Sequence, residues 1–160
     1  MSMEFLTAPW HKDFFFEDTD RYQYFHTTDA LNFIPYGCMV DEFQHVMYEN
    51  ENLTPDERNE VWLGLEEKYR PHLNITDLPF YSRGAGWQHQ LHIYLYPLYY
   101  IDYCMAQTVA FQFFAESLKN WQKAFDKYLA FVEGAGTKTF EELVLSAGLK
   151  LPYEDKVLAE

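Results

Sequence analysis

One histidine and five tyrosines stand between His92 and Tyr103, directly ahead of the longest apolar run in the sequence. The spacing that follows constrains the fold more than any other feature of the chain. Tyr96, Tyr100, Tyr103, Gln107, Ala110 and Phe114 recur at i, i+4, i+7, i+11, i+14 and i+18. That is one face at a 3.6-residue period, and it does not match the two-residue alternation of a strand. Pro97 fixes its own φ and lacks an amide proton, which suits the first turn of a helix, so the pattern predicts a helix starting there. The apolar series continues through Val109, Phe113 and Leu118 toward Phe131 or Val132. A single helix of more than about thirty residues would be unusual, so a break is expected near Lys119 and Asn120. Gly134 and Gly136 should then end the second piece.

The rest of the chain also reads as helix. Met3, Phe5, Leu6, Trp10 and the aromatics 14–16 form an apolar segment whose register is lost near Pro9. From Glu17 a long pattern runs through Tyr22, Phe25, Leu31 and Ile34, then through Val40, Phe43 and Met47, with Pro35 expected to kink or divide it. Thr54, Pro55 and Glu57 supply a threonine cap, a first-turn proline and the glutamate of a capping box, so a helix should begin here and stop before Pro71. Residues 71–79 read as loop. Thr139 and Glu142 make a second capping box for a short helix ending at Gly148, and a last helical piece is expected over Tyr153 to Leu158. Trp87 to Tyr96 alternates poorly and reads as helix, strand or irregular; with helical patterns dominating elsewhere, the fold class is all-α: a multi-helix globule, read as one domain over residues 1–160.

A chain of 160 residues that is 48% hydrophobic and 19% aromatic has enough apolar surface for a packed core. Its formal net charge of -13 argues against nucleic acid or an anionic membrane as partner. It suits a cleft that prefers basic peptides, as well as plain solubility. No apolar run approaches the length of a membrane span, and no basic leader with a small-residue cleavage site is visible, so the cytoplasm is the expected location. Cys38 and Cys104 lack metal-site spacing and read as free thiols in a reducing compartment.

Phenols and an imidazole near a helix N-terminus lie where negative charge is stabilised, which suits a polar cleft. The same stripe would also serve as core, with each hydroxyl reaching a partner at the edge. Residues 84–103, GAGWQHQLHIYLYPLYYIDY, resemble the downstream active-site segment of the oligoendopeptidase F group of zinc metallopeptidases, relatives of thimet oligopeptidase. Residues 2–10 (SMEFLTAPW) are similar to the family segment that follows the third zinc ligand, a glutamate expected upstream of Met1. Residues 33–37 (FIPYG) and 40–50 (VDEFQHVMYEN) resemble family sequence too, in the family's order. The resemblance implies a histidine and a Tyr-x-x-x-Tyr-x-x-Tyr array lying over the zinc, binding substrate and stabilising the tetrahedral oxyanion. Tyr96, Tyr100 and Tyr103 reproduce that spacing and His92 matches the histidine; Tyr99 competes with Tyr100 for its position. On this basis His92, Tyr100 and Tyr103 are the catalytic candidates. Tyr96 and Tyr99 are substrate-binding candidates, joined by Gly84 and Gly86 as one wall of a peptide groove.

The family's chemistry rests on HExxH, in which two histidines one turn apart hold zinc and the glutamate acts as base toward bound water. No HExxH occurs in these 160 residues. The nearest string, Asp41 to His45, reads as an ion-paired or solvated helix face. His26 reads as a capped or core-edge histidine and not as a ligand. His89 and His92 would share a face only on a helix, and no third ligand stands at a suitable spacing. The resemblance therefore implies the C-terminal part of a peptidase catalytic domain. Zinc would belong to the intact enzyme and not to this chain, short unstructured peptides would be the substrates, and the chain alone would be inactive. The alternative is a noncatalytic helical module that binds peptides or associates with itself as a homo-oligomer.

Overall fold

The structure, a computed structural model, describes residues 1–157. Its elements are α1 (Ser2–Leu6), α2 (His11–Phe15), α3 (Thr19–Glu49), α4 (Pro55–Tyr69), α5 (Leu91–Leu95), α6 (Ile101–Lys119), α7 (Trp121–Glu133) and α8 (Phe140–Ser146). Short 3-10 turns stand at Ala8–Trp10, Phe16–Asp18 and Ala85–His89, and no strand occurs among the described residues. The fold is all-α, as the periodicity requires. The chain forms two compact units, one built from Met1–Thr28 and the stretch from Met105 onward, the other from Asp29–Cys104.

In the first unit Phe5 and Leu6 are buried. The Phe5 ring meets Phe114 at 4.9 Å and Phe111 at 5.5 Å between centroids. The Trp121 indole N–H donates to the Leu6 carbonyl at 2.7 Å. His26 stacks near Phe5 and Tyr22 and faces the Glu4 carboxylate at 3.4 Å, so it sits at the edge of this packing. The register change near Pro9 is present as the 3-10 turn between α1 and α2. Val109, Phe113, Val144, Ala147 and Leu149 form a second buried cluster. The break between α6 and α7 falls at Asn120, whose side chain accepts from the Lys123 N–H at 3.0 Å. Such a cap satisfies one of the orphan donors that open a helix.

In the second unit the core is Met39, Val40, Phe43, Trp62, Leu65 and Tyr100. Both predicted capping boxes form: Thr54 with Glu57 opens α4, and Thr139 with Glu142 opens α8. Trp62 is fully buried, edge-on to Phe43, and its indole N–H donates to Glu66 Oε1 at 3.1 Å. The buried Glu66 carboxylate is held from the other side by the Arg70 guanidinium, which bonds both of its oxygens.

Two expectations about boundaries fail for identifiable reasons, and at a third position one of two outcomes is excluded. Of a kink or a division at Pro35, division does not occur, since α3 runs unbroken from Thr19 to Glu49. The carbonyl that loses its amide partner belongs to Leu31, four residues earlier, and Leu31 is exposed, so solvent can serve it. The helix predicted from Pro97 begins instead at Ile101. Leu98 takes a positive φ of 60°, and its N–H donates to Gln44 Oε1 at 2.8 Å, so the chain turns where a helix would have continued. The last expected piece is a series of turns through Val157, with Lys156 at φ 63°, and Leu158 lies outside the described residues. Gln107, further along the predicted stripe, is buried, and its Nε2 has no partner among the described residues.

Candidate functional site

The turn at Leu98 folds the tyrosine-rich segment back around α5. The His92 ring lies 5.0 Å from Tyr100, 5.6 Å from Tyr103 and 6.2 Å from Tyr96, centroid to centroid. Tyr99 packs edge-on against Tyr103 at 5.3 Å. All five candidates therefore meet, though by a route other than one helical face, because Tyr96 and Tyr99 precede α6.

They differ in exposure, and this separates what each can do. Tyr100 is 8% exposed and is part of the buried core, against Tyr36 and Phe33. Tyr103 is half-buried, while Tyr96 and Tyr99 are open to solvent. Burial first, then Cys104 and Tyr103, push the Tyr100 phenol above its ordinary range. The Tyr103 phenol is pushed up as well, first by loss of solvent and then by Tyr99, Tyr96 and Asp102. Raised phenols stay protonated at neutral pH and act there as donors, not bases.

A chain of hydrogen bonds sets the polarity of the cluster. Tyr36 O–H donates to Gln90 Oε1 at 2.7 Å, and Gln90 Nε2 is 2.9 Å from His92 Nδ1. An amide nitrogen has no lone pair to offer, so Nδ1 must be the acceptor and Nε2 of the neutral ring carries the proton. That Nε2 lies 3.4 Å from the Tyr103 hydroxyl. With the imidazole donating to the phenol oxygen, the Tyr103 O–H is directed toward Tyr99, with which it hydrogen-bonds. The Arg70 guanidinium lies 4.8 Å over the Tyr36 ring, and burial pushes the Tyr36 phenol up, so the chain begins on a firmly protonated donor.

Sequence reasoning missed Tyr36, Gln90 and Gln44. All three lie inside stretches that carried the family resemblance, Tyr36 in 33–37, Gln44 in 40–50 and Gln90 in 84–103. None was part of a periodic stripe, so spacing did not single them out.

The two glycines take a more structural position. Gly84 has φ 77°, and a Cβ there would fall 2.1 Å from the Asn59 carbonyl oxygen of α4. At Gly86 a Cβ would fall 2.7 Å from Trp62 Nε1. Gly86 also lines a cavity of about 300 Å³ with Tyr36, Trp62, Arg70, Tyr81 and His89. His89 reaches the Tyr81 hydroxyl at 3.3 Å while His92 reaches Tyr103 and Gln90, so the two histidines serve different partners. Among the described residues no three His, Cys, Asp or Glu side chains are grouped to hold a metal ion. The string from Asp41 to His45 is an ion-paired face, with Asp41 3.4 Å from His45 and Glu42 bonded to Lys68 and Tyr69.

A scan against protein-family models and a search of curated proteins both returned no match. Solved structures do match. A PZ peptidase A solved with an inhibitor is 48% identical, with a TM-score of 0.93 over 98% of this chain. A chain described as an oligoendopeptidase F is 47% identical, with a TM-score of 0.94 over 99%. Another so described, from Bacillus anthracis str. Ames, is 39% identical, with a TM-score of 0.80 over 99%. The helical arrangement is thus that of a stretch of a peptidase chain. This protein belongs to the oligoendopeptidase F group, and it spans 28% of the length of the first two relatives and 25% of the third.

Proposed function

We propose that the cluster around His92 is the peptide-holding, oxyanion-stabilising wall of an oligoendopeptidase F-like peptidase acting on short unstructured peptides. The observation that carries this reading is the gathering of His92, Tyr96, Tyr99 and Tyr103, with the imidazole held by Gln90 and the Tyr103 phenol kept protonated. When a peptide carbonyl is attacked, its oxygen gains negative charge. A phenol waiting in a partly dry site stabilises that charge more than the starting carbonyl, and loss of one such donor typically costs about 10²- to 10³-fold in rate. Burial of the Tyr100 ring in the core favours Tyr103 for this role. His92 fixes the phenol and bonds the substrate backbone, while the exposed Tyr96 and Tyr99 flank the peptide.

The resemblance implies zinc in the intact enzyme, where it would activate the attacking water. The described residues of this chain do not assemble a ligand set for it, so what they supply is recognition and charge stabilisation. The chain by itself is therefore expected not to hydrolyse peptides. Zinc-dependent cleavage of an unstructured peptide by the purified chain would overturn that. An acidic surface favours basic peptides over nucleic acid or membrane, and we assign the protein to the cytoplasm. No helix among the described residues is long and apolar enough to cross a membrane.

Titration with an extended basic peptide tests the wall. Tyr103→Phe is expected to weaken binding by about 3- to 10-fold, the usual worth of one hydrogen bond. His92→Ala should weaken it at least as much, and Gln90→Leu should reproduce part of the loss by freeing the imidazole tautomer. Unchanged dissociation constants in all three variants would remove the cluster from the binding site. Concentration-dependent self-association without peptide saturation would favour the homo-oligomeric module.

A further inference from the structure

Cys38 and Cys104 are distant in sequence but meet in the second unit. The Cys104 Sγ is seated on α3 so closely that a Cβ at Gly37 would lie 2.2 Å from it. It is also 3.6 Å from the Ile34 carbonyl oxygen, one turn before Cys38. Helical side chains lean toward the N-terminus, so the Cys38 sulfur points into that same turn. There the Cys104 thiol hydrogen-bonds to it. Cys104 is buried, whereas Cys38 is partly accessible.

We propose that Cys38 and Cys104 form a redox-modification site that closes to an intramolecular disulfide when the protein meets a hydroperoxide, and reopens with thiol reductant. The chemistry balances as a two-electron oxidation. The Cys38 thiolate attacks one oxygen of hydrogen peroxide, the O–O bond breaks, hydroxide leaves, and Cys38 becomes a sulfenic acid. The Cys104 sulfur then attacks the Cys38 sulfur, the S–O bond breaks, and the departing hydroxide takes the Cys104 proton as water. Both thiols are oxidised and one peroxide is reduced to two waters.

The two cysteines are suited to unequal roles. The hydrogen bond from Cys104 draws the Cys38 thiol down to about 7, against burial and the Asp41 carboxylate, which act the other way. The same bond, with burial, pushes the Cys104 thiol up. The groups facing the pair are Asp41, itself 3.4 Å from His45, and the Tyr100 phenol. Cys38 is thus a half-ionised, reachable nucleophile at neutral pH, and Cys104 the sheltered resolving thiol. A disulfide needs Cα atoms roughly 4.4–6.8 Å apart and a defined torsion, so closure should tug the start of α6 against α3. Cys104 directly follows Tyr103. An effect of oxidation on peptide binding rests on the reading of the His92 cluster given above; the disulfide itself does not.

The test uses the full reduced chain, treated with hydrogen peroxide and then analysed by intact mass and non-reducing peptide mapping. The expected product is a monomer lighter by two hydrogen atoms, with residues 38 and 104 cross-linked and both thiols recovered after dithiothreitol. Cys104→Ala should stop at a Cys38 sulfenic acid that dimedone traps. Alkylation of Cys38, followed against pH, should have its midpoint near 7 in the parent. It should move above the ordinary thiol value of about 8.5 in Cys104→Ala, because burial and the Asp41 carboxylate then act unopposed. Direct overoxidation of Cys38 without a cross-link, a disulfide between two chains, or two thiols still titrating after treatment would each overturn the proposal. So would an alkylation midpoint that Cys104→Ala leaves unmoved. If the disulfide forms and peptide binding is unchanged, the redox site stands and its link to the His92 cluster fails.

Discussion

Arg70→Ala is expected to lower the unfolding free energy by about 3–5 kcal/mol, because it leaves the Glu66 carboxylate charged and without its partner in the interior. Glu66 is 5% exposed. Besides Arg70, the Trp62 indole N–H donates to it at 3.1 Å. Water cannot easily replace the guanidinium there, and one indole N–H does not balance a full negative charge. The measurement is a urea titration followed by tryptophan fluorescence. The double variant Glu66→Leu with Arg70→Met should recover a large part of the loss, since it removes both charges and keeps the volume. Recovery should be incomplete, because the Trp62 N–H then has no acceptor, a cost of about 1–3 kcal/mol. A loss below about 1 kcal/mol in Arg70→Ala would show that solvent reaches Glu66 and that the pair behaves as a surface ion pair.

Gly84→Ala should cost about 2–5 kcal/mol, combining a left-handed backbone that disfavours any Cβ with overpacking against a neighbour that cannot yield. Here φ is 77°, and the atom that a Cβ would strike at 2.1 Å is the Asn59 carbonyl oxygen, part of the α4 backbone. A helix carbonyl cannot swing aside without breaking its own bond. The expected signature is a lowered thermal midpoint, with weaker peptide binding only in proportion to the unfolded fraction. If stability is kept and peptide affinity falls, Gly84 acts as a groove wall, the role that the family resemblance implied.

The candidate site was half legible. The spacing of Tyr96, Tyr100 and Tyr103 singled out residues that meet in the structure, and the resemblance added His92 and Tyr99. It did so through a helix that does not exist over residues 97–100. The real cause of their meeting is the turn at Leu98, imposed by Gln44 from 54 positions earlier. A periodicity argument sees only neighbours along the chain, so a long-range side-chain bond to one amide lies beyond it. The same blindness hid Tyr36, which acts on His92 through Gln90. It also hid the meeting of Cys38 with Cys104, which no spacing rule would pair.

What the sequence determined alone was everything governed by contacts within one or two helical turns. That includes the all-α class, the starts of α4 and α8 at Thr54 and Thr139, the stop before Pro71 and the break at Asn120. Caps, prolines and apolar periods act over three or four residues, and their energies do not wait for the rest of the chain. Tertiary structure alone decided that α6 starts at Ile101, that α3 passes through Pro35, and that Tyr100 is core while Tyr103 is half-buried beside His92 and Tyr99. Each of those outcomes is set by burial, or by a partner far away in sequence. Neither exists until distant segments have packed.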